Sequence, residues 1–142
     1  MEYHTVTGSG PFVCHALRLH RGDDLLESIR ALCREKHIAA GVILSGVGCI
    51  LQGRIRDAGG VTVHDLTGRH EIVSLMGTVG EGRCHVHISL SREDLSTVGG
   101  HLCPGCIVNT TCELVIGELP GLRFGKEPDP ETGYSELTVE QA

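Results

Sequence analysis

The stretch Cys84-His85-Val86-His87-Ile88-Ser89-Leu90 alternates apolar and polar residues without a break. Successive side chains point to opposite faces only in an extended chain, so the stretch reads as a strand. Cys84, Val86, Ile88 and Leu90 form the face to be buried, and His85, His87 and Ser89 form the opposite face. A one-residue slip would exchange the two faces, so the burial requirement also fixes the register. The same alternation puts two imidazoles side by side, their Cα atoms roughly 7 Å apart. Ser91 to Val98 is polar and loops out, Gly99-Gly100 returns the chain, and His101 opens the next run. Glycine lets two backbones approach closely, and a neighbouring strand lies about 5 Å away. A third imidazole there completes a triangle. Three neutral nitrogens suit zinc and leave a fourth position open for water or substrate. A solvated or interfacial polar strand face has the same pattern, and the spacing alone leaves both readings open.

With 142 residues, the expectation is a single domain over residues 1–142. Such a chain buries about two-thirds of its unfolded surface and folds without staples. No long apolar span predicts a membrane crossing, and no charged-then-apolar leader is visible in the polar start Met1-Glu2-Tyr3-His4. Seven cysteines without a leader point to reduced thiols in the cytoplasm. A formal charge of −6 has the wrong sign for non-specific attraction to phosphate backbones. With no tryptophan, two tyrosines and two phenylalanines, base-stacking platforms are not expected.

The remaining elements follow from periodicity. Pro11 to His20 reads as a first strand, with Val13, His15, Leu17 and Leu19 on one face. Gly22 turns the chain, and Asp23 or Asp24 caps a helix running to His37. Leu25, Ile29, Leu32 and Cys33 form its apolar stripe. Ile38 to Leu44 reads as a buried strand and Gly46-Val47-Gly48 as a bend or bulge. Cys49 to Arg56 reads as a further strand, with Gln52, Arg54 and Arg56 opposite Leu51 and Ile55. Val61 to Leu66 and His70 to Val79 read as two strands separated by a turn at Thr67-Gly68-Arg69. Ile107 to Ile116 is another strand. The tail from Gly117 is expected to wrap the surface, with Ser135 to Val139 as an edge strand. Short, turn-rich connections favour antiparallel pairing. The fold class is therefore α+β, a mostly antiparallel sheet with one main helix.

Cys103-Pro104-Gly105-Cys106 is a rival site, having the Cys-x-x-Cys spacing of redox pairs and half zinc sites. No second pair accompanies it, and it does not open a helix. Cys14, Cys33, Cys49 and Cys112 occupy apolar positions and read as small core residues. No nucleophile elbow, phosphate loop or dinucleotide fingerprint is present.

Taken together, Gly46-Val47-Gly48, Gly68 to Gly77, His85 to Leu90, Gly99-Gly100-His101-Leu102, Thr111 to Ile116 and Asp129 to Leu137 resemble the PPC, or PCC, domain. This is the plant and prokaryote conserved domain, and the stand-alone prokaryotic type is the nearer likeness. The resemblance implies an α+β fold and a homotrimer. In plants the domain is attached to AT-hook segments that bind A·T-rich DNA, and prokaryotic members are often labelled DNA-binding by that analogy. These residues contain no Arg-Gly-Arg-Pro hook, so direct DNA binding is expected to be weak or absent. The fold further resembles acetolactate decarboxylase and a group of zinc-dependent ester hydrolases that hold metal with three histidines. By that likeness His85, His87 and His101 become the expected ligands of zinc or a similar divalent ion.

Zinc with an open position lowers the pKa of its water or polarises a carbonyl, and a nearby carboxylate can move protons. Glu71 is the candidate carboxylate, with a salt bridge or capped turn as its alternative role. Arg56, with Arg54, is the candidate clamp for a substrate carboxylate, the alternative being a solvated sheet face. Two function classes follow. One is a trimeric metal-binding protein, acting as an enzyme on a small carbonyl or carboxylate compound. The other is a DNA-binding or transcription-associated module working mainly through protein–protein contacts.

Overall fold

A computed structural model describes residues 2–6 and 13–141. Among the described residues there are nine strands and one helix: β1 (Glu2–Val6), β2 (Cys14–His20), α1 (Leu25–Glu35), β3 (Gly41–Arg56), β4 (Val63–Val79), β5 (Cys84–Ser91), β6 (Thr97–Leu102), β7 (Ile107–Glu118), β8 (Leu122–Pro128) and β9 (Ser135–Gln141). The expected α+β class with a mostly antiparallel sheet is what the chain adopts. Seven strands form one sheet in the order β1-β2-β7-β3-β4-β5-β6, and β8 pairs with β9 in a separate hairpin. The far edge strand β6 also pairs back onto β3, through Ile55 opposite Leu102 and Arg56 opposite His101. Strands β3 to β6 thus close on themselves. That closure carries the end of β3 to the histidine strand.

The helix starts where a side chain satisfies its free amides. Asp24 accepts a hydrogen bond from the Glu27 amide at 3.0 Å, the expected capping geometry. Its other oxygen accepts from the Gly105 amide at 2.7 Å and ties the helix start to the Cys103–Cys106 turn. Leu25, Leu26, Ile29, Leu32 and Cys33 are all buried and join Leu19, Ile50, Val86, Ile88, Leu90, Leu114 and Ile116 in one core. The first strand keeps its expected faces from Cys14 onward, with His15, Leu17 and Leu19 buried. Pro11 and Phe12 lie outside the described residues.

Four local expectations are corrected, three of them by irregular strand geometry. Residues 41–56 form one strand, not two, because bulges absorb the bend: the β3–β7 register shifts between Ile43 and Ser45 and again on both sides of Ile50. The bulge after Ile50 also overturns the predicted face, leaving Leu51 exposed and Ile55 buried. Residues 63–79 likewise form one strand. Gly68, expected in a turn, sits in a bulge with φ of +94°, between the pairs Gln52–Thr67 and Ile50–His70. Glycine adopts that backbone without strain. Ile38 to Ala40 are a connection rather than strand, with the Ile38 amide donating to the Cys33 carbonyl at 2.9 Å. The tail contributes a second strand, β8, that periodicity did not reveal.

Candidate metal centre

The expected alternation holds along β5. Val86, Ile88 and Leu90 are buried, while His85 is half-buried and His87 exposed on the opposite face. Pairing of β5 with β6 sets His87 directly opposite His101. A Cβ at Gly100 would lie 2.5 Å from the Arg56 carbonyl oxygen, so glycine there permits the β6–β3 approach. The three rings meet with centroids 5.0, 5.1 and 5.6 Å apart. One nitrogen from each lies within 4.8 Å of the others, and the Nε2 atoms of His85 and His87 are 3.2 Å apart. Two nitrogens on one tetrahedral zinc are separated by about 3.3 Å, so this donor set fits such an ion.

Burial and neighbouring cations favour the neutral form of His101 and His85. His101 is lowered from 6.5 to about 4, chiefly by burial and then by Arg56 and the other two imidazoles. His85 is lowered as well, by burial, Arg83 and His87, against a raising influence from Glu136. Neutral imidazole is the form that binds metal. Nδ1 of His101 is buried with no hydrogen-bond partner, a nitrogen whose lone pair or proton is left for a ligand to satisfy. Arg83 donates to Nδ1 of His85 at 3.0 Å. A neutral ring carries one proton, so a metal held at Nε2 would require that proton on Nδ1 and would displace the Arg83 hydrogen bond.

The cluster opens into a cavity of about 870 Å³. Of the other candidate site residues Arg56 lines it, and Arg54 and Glu71 do not. Arg54 is exposed and pairs with Asp65 at 3.5 Å. Glu71 is exposed and lies opposite Ser91, about 13 Å along the strand from His87 at the usual rise. The carboxylate that acts on His85 is Glu136, on β9 at the cavity wall. Sequence reasoning missed it because Ser135 to Val139 was expected as an edge strand but its partner β8 was not, so nothing tied Glu136 to the histidines. It also missed Arg30 and Arg34, whose i, i+4 spacing opposite the apolar stripe was a legible sign of a shared helix face.

The rival cysteines sit differently. Cys106 is buried, and burial raises its thiol to about 11. Its Sγ accepts from the Arg54 amide at 3.1 Å and donates to the Arg54 carbonyl at 3.4 Å. Cys103 donates to the His101 carbonyl at 3.7 Å. Neither belongs to a metal-sized cluster among the described residues. Cys33 and Cys112 are core residues as expected, whereas Cys14 and Cys49 are only half-buried. Cys84 lines the cavity and accepts a hydrogen bond from Cys33 that lowers its pKa.

An antiparallel α+β fold with three convergent histidines beside an open cavity is the class of protein this chain represents. Residues 7–120 match the Plants and Prokaryotes Conserved (PCC) domain, and the chain belongs to that family. It is 38% identical over 131 residues to a protein of a Synechococcus strain named bifunctional protein GlmU, covering 92% of this chain and 21% of that protein. The chain thus spans about a fifth of that relative's length. Its fold matches a hypothetical protein from Salmonella at 35% identity and TM-score 0.89, covering 97% of this chain and 99% of the other. It matches a metal-containing protein from Archaeoglobus fulgidus at 26% identity and TM-score 0.77, with 97% and 99% coverage. It also matches a Ralstonia eutropha protein provisionally named DNA-binding at 23% identity and TM-score 0.80, with 97% and 96% coverage. No helix among the described residues is long and apolar enough to cross a membrane.

Proposed function

We propose that the chain is a metal-binding PCC protein in which His85, His87 and His101 hold one zinc-like divalent ion, and that it acts as a metal-dependent enzyme on a small carbonyl or carboxylate compound. The observation that carries this reading is the convergence of the three ring nitrogens within 4.8 Å. Bound there, the ion supplies Lewis acidity. The chain's own residues do the rest. Arg56, beside His101 in the register, holds an anionic group of the substrate. Glu136, close enough to influence His85, moves a proton, the role the sequence had suggested for Glu71.

Residues 1–142 act as one domain in this reading and assemble as a homotrimer. Leu44, Val47, Val73 and Met76 are 47%, 52%, 61% and 60% exposed, and Met76 is paired with His87. A second copy laid on these side chains removes them from water next to the site. The free thiols suit a reducing compartment, the cytoplasm. The second reading is a regulatory module acting through protein–protein contacts. It draws on the same apolar side chains, but the net charge of −6 argues against direct DNA attraction.

Elemental analysis of untagged protein tests the metal. One equivalent per chain is expected in the wild type and in Cys106→Ala, with loss in His87→Ala. Full metal in His87→Ala with loss in Cys106→Ala overturns the assignment. Light scattering of the same samples is expected to give a trimer, and a monomer at micromolar concentration removes that part.

A further inference from the structure

The cavity beside the histidines is lined by cations from four separate elements. Arg30 and Arg34 come from α1, Arg56 from β3, Arg83 from the β4–β5 turn and Lys126 from β8. This clustering occurs on a chain whose net charge is −6. Four carboxylates also line the cavity, but three are engaged. Glu27 accepts from Arg30 at 2.6 Å. Asp57 bonds His64 at 2.8 Å and Glu81 bonds His37 at 2.9 Å, and neither histidine is part of the cavity wall. Arg56 meanwhile has a buried Nε with no hydrogen-bond partner. A buried guanidinium N–H without an acceptor is unfavourable, so an acceptor supplied by a ligand is the missing component.

The arrangement also discriminates among anions. A carboxylate offers two oxygens in one plane and is satisfied by a single arginine fork. Guanidinium groups approaching from a helix, a strand and a turn match three oxygens spread around a tetrahedral centre. Arg83 gives one N–H to Nδ1 of His85 at 3.0 Å, and the rest of its fork remains to meet the anion. Resting on the histidine site described above, we propose that this cavity binds a small molecule carrying a phosphate monoester, its phosphate held by Arg34, Arg56 and Arg83 beside the histidine cluster. Of the two substrate classes proposed above, this selects the carbonyl compound and adds a phosphate to it. A nucleic-acid backbone carries related chemistry, but Arg56 and the unpartnered His101 nitrogen lie below the surface, where a duplex does not reach. The overall negative charge opposes a duplex further.

Calorimetric titration with phenyl phosphate, benzoate and a short duplex DNA tests the proposal, with and without added zinc. Phenyl phosphate is expected to bind at least tenfold more tightly than benzoate. Arg34→Gln and Arg56→Gln should each weaken it tenfold or more, while Arg92→Gln, outside the cavity, leaves it unchanged. Arg34 is exposed, so its variant stays informative even where Arg56→Gln fails to fold. His87→Ala should retain phenyl phosphate binding after losing metal, which separates failure of the metal assignment from failure of this one. Equal affinity for benzoate, or indifference to Arg34→Gln, overturns the proposal. So does displacement of phenyl phosphate by the duplex.

Discussion

Two places on the chain carry residues of metal-binding type, and they flank the same strand. His85, His87 and His101 meet where β5 pairs with β6; Cys103 and Cys106 follow the end of β6. The two differ in where the backbone aims them. The alternation of β5 sends its histidines to the face away from the core, where they meet a cavity. The cysteine turn folds back against β3 and α1, so Cys106 is buried with its sulfur hydrogen-bonded to the Arg54 backbone. The asymmetry lies in access: spacing alone makes both pairs eligible, and the face each occupies decides which can meet a ligand.

The largest test of this contrast is Gly100→Ala. The added Cβ would sit 2.5 Å from the Arg56 carbonyl oxygen, so β6 must move off β3. Overpacking of this kind costs about 2–3 kcal/mol. A urea midpoint measures that loss, and metal content should fall with it because His101 moves with its strand. Unchanged stability and metal content would break the link between strand closure and the site. A smaller effect is expected from Cys106→Ala. It removes two sulfur hydrogen bonds and leaves a small void, for about 1–2 kcal/mol, with no change in bound metal. A loss of metal there would reinstate the cysteine turn as a site.

Much of this contrast was legible in the sequence. The unbroken alternation from Cys84 to Leu90 and the glycine-led His101 allowed three imidazoles to meet, with a solvated strand face left open until the family likeness favoured the triangle. The Asp24 cap and the Leu25–Cys33 stripe were enough to place the helix. The rest was hidden for identifiable reasons. Bulges at Ile50 and Gly68 shift the two-residue period, so continuous strands look interrupted and Leu51 is read onto the wrong face. Glu71 seemed near the histidines because its strand adjoins theirs, but pairing to Ser91 puts it far along the sheet. Glu136 and Lys126 reach the cavity from a hairpin whose strands are mostly exposed, and an exposed hairpin leaves little hydrophobic pattern to read.

The smallest effect separates the two regions by pH. In the folded, metal-free protein His101 titrates at about 4, against 6.5 for an unperturbed ring, and His85 is shifted in the same direction. The unfolded chain therefore binds protons on these rings at a pH where the folded chain does not. By linkage, the stability associated with their neutral form is fully present above pH 6.5 and is lost progressively as pH falls toward about 4. Asp57 and Asp94 are lowered below 3.8 and contribute mainly at the acid end. Cys106 at about 11 is silent throughout the window. Urea midpoints at pH 7.5, 5.5 and 4.5 are expected to decline less steeply in His101→Ala than in the wild type. Cys106→Ala should follow the wild-type slope from a lower starting point, because its cost is in packing rather than in protons. A parallel decline in wild type and His101→Ala would mean that the histidine end, like the cysteine end, has no titration of its own in this range.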